Sequence, residues 1–226
     1  MKLIIFDLDQ TLVDFAQLHN EVTHRLLKEF FGVEAWLTEV EHAGRSQRDG
    51  MRNLAELKGV TRIAFDSSID RMLERFGIDF AAGMPAEPSR HVLPGAVELL
   101  DGLSRAGHVL ALYTGDAPGV VEAVFQATGL GRYFSYHFSG TQVKQRHEMV
   151  KMAIERAEAD FRSRFEGRSV VVIGDSLRDV ECGRLFGAFA IGVATGYYSA
   201  QELAAAGADL VVGSLQEKKV VLDAIG

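Results

Sequence analysis

The sequence predicts an α/β fold, a doubly wound parallel sheet with a helical insertion placed after the first strand. Three observations predict it. Short runs of β-branched or apolar residues recur with little alternation, which suits strands buried on both faces. Each run leads into a helical pattern, the β–α order that a parallel sheet requires. One stretch, from about Asp14 to Arg90, breaks that rhythm and holds only helical patterns.

The expected strands are Lys2–Phe6, Val109–Tyr113, Ser169–Ile173, Phe189–Ile191 and Asp209–Val212. Between and after them lie the expected helices Ala96–Ala106, Pro118–Thr128, Glu148–Phe161, Asp179–Phe186 and Ala200–Ala206. Glycines follow several of these, at Gly107, Gly129, Gly187 and Gly207, where a left-handed helix stop is expected. Inside the insertion the helical patterns are Gln17–Phe31, Ser46–Lys58 and Phe65–Phe80. Ser46 and Asp49 have capping-box spacing, with the Ser46 hydroxyl available to early amides of the helix. Gly83, Pro85, Pro88 and Pro94 punctuate the return to the sheet. The domain reading is therefore a core of residues 1–13 and 91–226, with residues 14–90 as the inserted unit. Trp36 and the phenylalanines at 30, 31, 65, 76 and 80 are expected to form a small core for that insertion.

Composition narrows the class. A chain of 226 residues with 47% hydrophobic and 24% charged residues matches the average for soluble globular proteins. The single Cys182 cannot form an internal disulfide, which fits a reducing, cytoplasmic setting. The first apolar run, Leu3 to Phe6, falls short of the roughly 7–15 residues of a secretory segment and the roughly 20 of a membrane span. No membrane partner is expected. A net charge of −7 argues against nucleic acid, which draws a basic excess. It leaves anionic small molecules open, because a local cation can reverse the field inside one cleft.

The first strand ends in Phe6-Asp7-Leu8-Asp9-Gln10-Thr11. Residues two apart on an extended chain point the same way, so Asp7 and Asp9 converge. They do so at the carboxyl end of a strand, where open α/β sheets bind ligands. Another strand ends in Gly174-Asp175-Ser176-Leu177-Arg178-Asp179, which adds two carboxylates. Like charges about 4 Å apart repel by about 4 kcal/mol at an effective dielectric of about 20. Such a cluster needs a proton, a lysine or a divalent cation. All-oxygen ligation and the lack of a cysteine–histidine cluster favour Mg²⁺ over zinc.

These segments together resemble the motifs of the haloacid dehalogenase-like superfamily. Asp7-x-Asp9-x-Thr11 is similar to its first motif, and Thr114-Gly115 after the strand Val109–Tyr113 to its second. A basic residue near Lys144 is similar to its third, and Asp175 with Asp179 to the GDxxxD form of its fourth. The order is right, each motif falls at a strand or helix end, and the resemblance spans the chain.

The resemblance implies a role for each matched residue. Asp7 is the implied nucleophile, forming an aspartyl-phosphate. Asp9 is the implied acid–base group, protonating the leaving oxygen and then activating water. Thr11 orders the loop. The Thr114 hydroxyl and Gly115 amide hold phosphoryl oxygens, and Lys144 adds positive charge. Asp7, Asp175 and the backbone carbonyl of Asp9 ligate Mg²⁺, while Asp179 orients water or the lysine from behind. The carboxyl group of Asp9 also points to phosphoryl transfer, because expelling halide needs no proton.

Three departures stand out. Gln10 replaces the usual glycine. Asp116 replaces a frequent asparagine, and an added anion there needs a cation or an outward orientation. The third motif reads Lys144-Gln145-Arg146-His147; the register of the following helix favours Lys144, with Arg146 as the rival.

The insertion resembles the helical cap domain of the phosphoglycolate phosphatase and β-phosphoglucomutase-like branch. Within it, Arg45 is a candidate grip for a carboxylate or second phosphate on the substrate. Arg48 and Arg52 are expected in surface pairs, and the histidines in structural roles. The implied function is Mg²⁺-dependent hydrolysis of a small phosphorylated metabolite. The alternatives are a β-phosphoglucomutase-like phosphomutase and a catalytically silent binding module. Silence usually accompanies loss of Asp7, Asp9 or the fourth-motif acid, and all three are present. The sequence leaves the particular ester and the oligomeric state open.

Overall fold

A computed structural model describes residues 1–226. Its strands are β1 (Leu3–Phe6), β2 (Val109–Thr114), β3 (Tyr136–Ser139), β4 (Val170–Gly174), β5 (Phe189–Val193) and β6 (Leu210–Val212). They form one parallel sheet in the order β3-β2-β1-β4-β5-β6. Sequence patterning did not anticipate β3. It is a half-exposed edge strand, so Tyr136-His137-Phe138-Ser139 lacks the apolar run that marks the buried strands.

The helices are α1 (Ala16–Phe31), α2 (Gln47–Leu57), α3 (Arg62–Asp66), α4 (Ile69–Ala82), α5 (Ala96–Arg105), α6 (Pro118–Thr128), α7 (His147–Phe161), α8 (Leu177–Leu185), α9 (Ala200–Ala205) and α10 (Lys218–Ile225). Alternate strand residues point to opposite sides of the sheet, and both sides are covered. Leu3, Ile5, Ala111, Tyr113, Val170 and Val172 pack against α7 and α8 through Met149, Val150, Ala153 and Cys182. Ile4, Phe6, Leu110, Leu112, Val171 and Ile173 face α5, α6 and α10. This two-sided cover is why the strand sequences are nearly continuous in apolar residues.

Helices α1 to α4 form the insertion between β1 and β2, and no strand lies among them. The Ser46 hydroxyl accepts from Asp49 N–H at 3.2 Å and donates to Asp49 Oδ2 at 2.7 Å, fixing the start of α2. The single helix expected over Phe65–Phe80 is two, α3 and α4. Ser67 ends the first by donating its hydroxyl to the Ala64 carbonyl, a local bond that competes with helix continuation.

The insertion has no separate core, contrary to expectation. Phe65, Phe76 and Phe80 belong to the same buried cluster as Ile4 and Phe6 of the sheet. The continuity comes from α4 lying against α6, where a Cβ on Gly77 would sit 2.9 Å from the Gly119 Cα. Trp36 is outside that cluster: it is 41% exposed and stacks on His24 with ring centroids 3.8 Å apart. No helix is long and apolar enough to cross a membrane.

Candidate active site

The register of the sheet aligns the ends of its central strands. Phe6 pairs with Leu112 on one side and Ile173 on the other, so Asp7, Thr114 and Asp175 emerge together. They open into a cavity of ≈490 Å³ whose opposite wall comes from α1, α2 and the loop before α2. Asp7, Asp9, Thr114, Gly115, Asp175 and Arg45, all singled out from the sequence, line it.

Oxygens of Asp7, Asp175 and Asp179 lie within 4.8 Å of one another. All three residues are buried. Asp179 is held tightly: Tyr113 donates to its Oδ1 at 2.5 Å, and Ser176 donates to Oδ2 from its backbone at 2.9 Å and its hydroxyl at 2.7 Å. Gly174 makes that approach possible, since a Cβ there would stand 2.3 Å from the Asp179 carboxyl carbon.

The cation between these groups is Arg146. Its Nη2 donates to Asp7 Oδ1 at 2.6 Å and to Asp179 Oδ1 at 2.7 Å, and its guanidinium lies over the Tyr113 ring at 4.5 Å. Arg146 immediately precedes α7, so its side chain drops into the cleft. Lys144 is two residues farther out, exposed, and borders a smaller adjoining cavity of ≈110 Å³. The register argument that favoured Lys144 placed the helix start at Glu148, one residue later than it falls.

The electrostatics follow from burial and crowding. Burial, against the opposing pull of Arg146 and with the charges of Asp179 and Asp9 adding to it, raises Asp7 to about 7. Burial with the charges of Asp7 and Asp179 raises Asp175 to about 9. Burial works against ionised Asp179 as well, but Arg146 and the Tyr113 and Ser176 bonds hold its carboxyl below the ordinary value. One guanidinium does not offset three carboxylates. The donor set is oxygen only, so a hard divalent ion such as Mg²⁺ fits both the charge deficit and the chemistry.

A second cluster was not expected from the sequence. His19, from the first turns of α1, places Nε2 3.3 Å from Asp9 Oδ1 and 3.7 Å from Asp116 Oδ2. Burial disfavours charge on His19, but Asp116 and Asp9 outweigh it and raise the imidazole to about 9. Burial also pushes Asp9 upward, but His19, with the Asp116 hydrogen bond and Arg146 adding to it, leaves Asp9 below its ordinary value. Asp116 goes the other way, driven well up by burial and by the charge of Asp9. The added anion at position 116 therefore meets a cation. The readable signal was that His19 shares a helix face with Thr23 and Leu26, so it points inward.

The remaining residues are second to these. Asp116 N–H donates to the Thr114 hydroxyl at 3.2 Å, and Gly140 N–H to the Thr114 carbonyl at 2.6 Å, which fixes the loop after β2. A Cβ on Gly115 would lie 2.1 Å from the Arg45 carbonyl, so the insertion rests directly on that loop. Arg45 turns its guanidinium to Glu41, with Nε 3.0 Å from the backbone oxygen and Nη2 3.4 Å from Oε2. Thr11 is fully buried and its hydroxyl has no partner. Gln10 adopts φ 58°, the left-handed region the usual glycine would occupy without strain, and its amide donates to Asp14 Oδ1 at 2.6 Å.

The chain is similar to several known proteins. A phosphoglycolate phosphatase of Agrobacterium fabrum is 31% identical over 201 residues, spanning 86% of this chain and 81% of its own. One of Synechococcus elongatus is 25% identical over 206 residues, spanning 91% and 90%. The fold is shared with the crystal structure of CbbY from Rhodobacter sphaeroides in complex with phosphate, at TM-score 0.74 and 22% identity over 96% of each chain. Residues 4–193 match the family described as haloacid dehalogenase-like hydrolase, and this chain belongs to that family.

Proposed function

We propose that this enzyme is a Mg²⁺-dependent phosphatase that hydrolyses a small phosphomonoester through an aspartyl-phosphate on Asp7. The observation that carries the reading is the Asp7 carboxylate, buried at the cavity floor and held by Arg146 at 2.6 Å beside Asp175 and Asp179. Phosphatases among the relatives support the same class.

In this reading an Asp7 oxygen attacks phosphorus and the bond to the leaving oxygen breaks. Asp9, open to the cavity beside His19, takes up a proton as the negative charge of the phosphate arrives, and gives that proton to the leaving oxygen. Asp9 then takes a proton from water as the water attacks the aspartyl-phosphate, releasing phosphate and restoring Asp7. The Thr114 hydroxyl and Gly115 N–H receive phosphoryl oxygens. Arg146, rather than Lys144, supplies the fixed positive charge against them. Asp7, Asp175 and the Asp9 carbonyl would hold Mg²⁺, which neutralises the phosphate and the carboxylates facing it; Asp179 anchors Arg146. Thr11 packs beneath the loop. Residues 14–90 act as the cap that excludes water and contacts the leaving group.

The test is phosphate release from an aryl phosphate with Mg²⁺, repeated with a chelator. Turnover with Mg²⁺ and its loss on chelation are expected, and full activity in metal-free buffer would overturn the charge argument. Asp9→Asn adds a second check: phenyl phosphate should lose more activity than nitrophenyl phosphate, whose leaving group needs no proton. An isomerised sugar phosphate with no free phosphate would replace the hydrolase reading by a mutase.

A further inference from the structure

Resting on that phosphatase reading, we propose that Gln47 is a specificity-determining residue. Its carboxamide donates a hydrogen bond to an uncharged oxygen of the leaving group. The site thereby disfavours esters whose leaving group carries a carboxylate or a second phosphate.

Gln47 opens α2 and is fastened to the loop after β2. Its backbone N–H donates to the Gly115 carbonyl at 2.8 Å, and its side-chain Oε1 accepts from Ala117 N–H at 3.0 Å. A backbone amide only donates, so the carboxamide oxygen must face Ala117 and the NH₂ group must face the other way. That Nε2 has no partner and is covered even on the cavity side, so a bound acceptor reaches it through a small turn of the side chain. Gln47 lines the large cavity beside Asn20, Thr23 and Thr38, which are also neutral hydrogen-bonding side chains of the insertion. A buried donor without a partner is costly, and an acceptor on a bound molecule would relieve it.

The cations nearby are already committed. Arg45 is held by Glu41, Arg48 pairs with Asp70 at 2.6 Å, and Arg52 pairs with Asp49 at 3.1 Å. His19 lies between Asp9 and Asp116, and Arg146 bridges Asp7 and Asp179. His42 turns its Nδ1 to the Val40 carbonyl at 3.1 Å. Lys144 faces the smaller neighbouring cavity. A second anion on the leaving group would meet Asp7, Asp9 and Asp175 with the arginines and His19 around it already paired and only the Nε2 of His42 free, and an unpaired charge out of water is strongly disfavoured. Hydroxyl or carbonyl oxygens of a polyol or sugar suit an amide and two threonines. The ≈490 Å³ volume also leaves room beyond a two-carbon acid.

The experiment compares initial rates with Mg²⁺ for p-nitrophenyl phosphate, glycerol 3-phosphate, ribose 5-phosphate, 2-phosphoglycolate and fructose 1,6-bisphosphate. The wild type should show kcat/KM at least about tenfold higher for the better of the two hydroxylated monoesters than for either substrate with an extra anion. Gln47→Arg should shift that ratio by about tenfold or more toward 2-phosphoglycolate. Gln47→Met, similar in length but without a donor, should lower kcat/KM for the hydroxylated esters more than for the aryl ester. Wild-type preference for 2-phosphoglycolate or the bisphosphate, with normal aryl phosphate turnover, would overturn this proposal alone. So would ratios that neither variant moves. Absence of aryl phosphate turnover in the wild type would overturn the phosphatase reading and this one with it.

Discussion

The floor and the roof of the cavity are built by different physics. The floor is ionic and buried: Asp7 and Asp175 follow strand ends, Asp179 sits in the first turn of α8, and Arg146 is bonded to two of the three. The roof, formed by α1, α2 and the loop before α2, offers mostly neutral amides and hydroxyls apart from His19, and pairs Arg48 and Arg52 outside the cavity. Strand ends locked by a sheet can hold charges at distances that side-chain entropy would otherwise scatter. A loop resting on that sheet can vary without disturbing them. On the proposed reading, the contrast puts reaction chemistry and substrate choice in separable parts of one cavity.

The strongest way to break the comparison is at the floor. Asp7→Asn should reduce turnover by about 10⁴-fold or more, the scale of losing a nucleophile. It should leave the thermal midpoint of the metal-free protein unchanged or higher, because one crowded carboxylate is gone. Near-normal phosphate release by the folded variant would refute the nucleophile.

Next in size is the fixed cation. Arg146→Ala should lower kcat by about 10²–10³-fold, as for a lost preorganised electrostatic group. It should also cost about 3–5 kcal/mol of stability by leaving Asp179 buried without its partner. Lys144→Ala, at an exposed site, should change kcat by less than about threefold. Steady-state kinetics and denaturant melts on both variants decide the matter, and the opposite ranking would return the role to Lys144.

A smaller effect probes how the roof is fixed to the floor. Gly77→Ala should gain helix propensity yet lose overall, since its Cβ would meet the Gly119 backbone at 2.9 Å. Overpacking of this kind costs about 1–3 kcal/mol, read as a fall in Tm of roughly 2–4 °C per kcal/mol for a chain of this size. An unchanged Tm would mean that α4 and α6 separate freely.

The smallest effect is at the rim. Glu41 on the insertion pairs with Arg178 at 3.2 Å and accepts from Tyr198 at 3.1 Å, both on the sheet side. Glu41→Gln should change kcat/KM by less than about fivefold at low salt, and the two proteins should converge as salt screens the pair. A difference that persists at high salt would assign Glu41 a role beyond fastening the two parts.

The legible parts of this molecule are those where residue identity and local pattern coincide. Asp7 and Asp175 could be read because each follows a buried apolar run, and Asp9 because it lies two residues beyond Asp7, so strand, end and carboxylate are marked together. Strand β3 carries no such run, because one side of it meets solvent. Arg146 and Lys144 differ by two positions in a loop without periodicity, so their directions depended on where α7 begins. His19 and Asp116 are far apart in sequence and meet only because α1 folds back over the cavity. Gln47 drew no reading from the sequence; what sets it apart is a missing partner, which only three-dimensional packing reveals. The phenylalanines of the insertion were correctly read as apolar packing groups but were assigned to too small a core.

The central position of β1 has a consequence for how the chain is made. β1 ends at Phe6, yet one of its two partners, β4, begins only at Val170. At about 5–20 residues per second of synthesis, that interval lasts on the order of ten to thirty seconds. Throughout it, an apolar strand destined for the middle of the sheet has at least one unpaired edge. Shelter must come from the emerging helices α1 and α4, from β2 once it is made, or from a chaperone at the ribosome. Slowing translation between β2 and β4 should therefore raise the aggregated fraction without altering the native protein's stability.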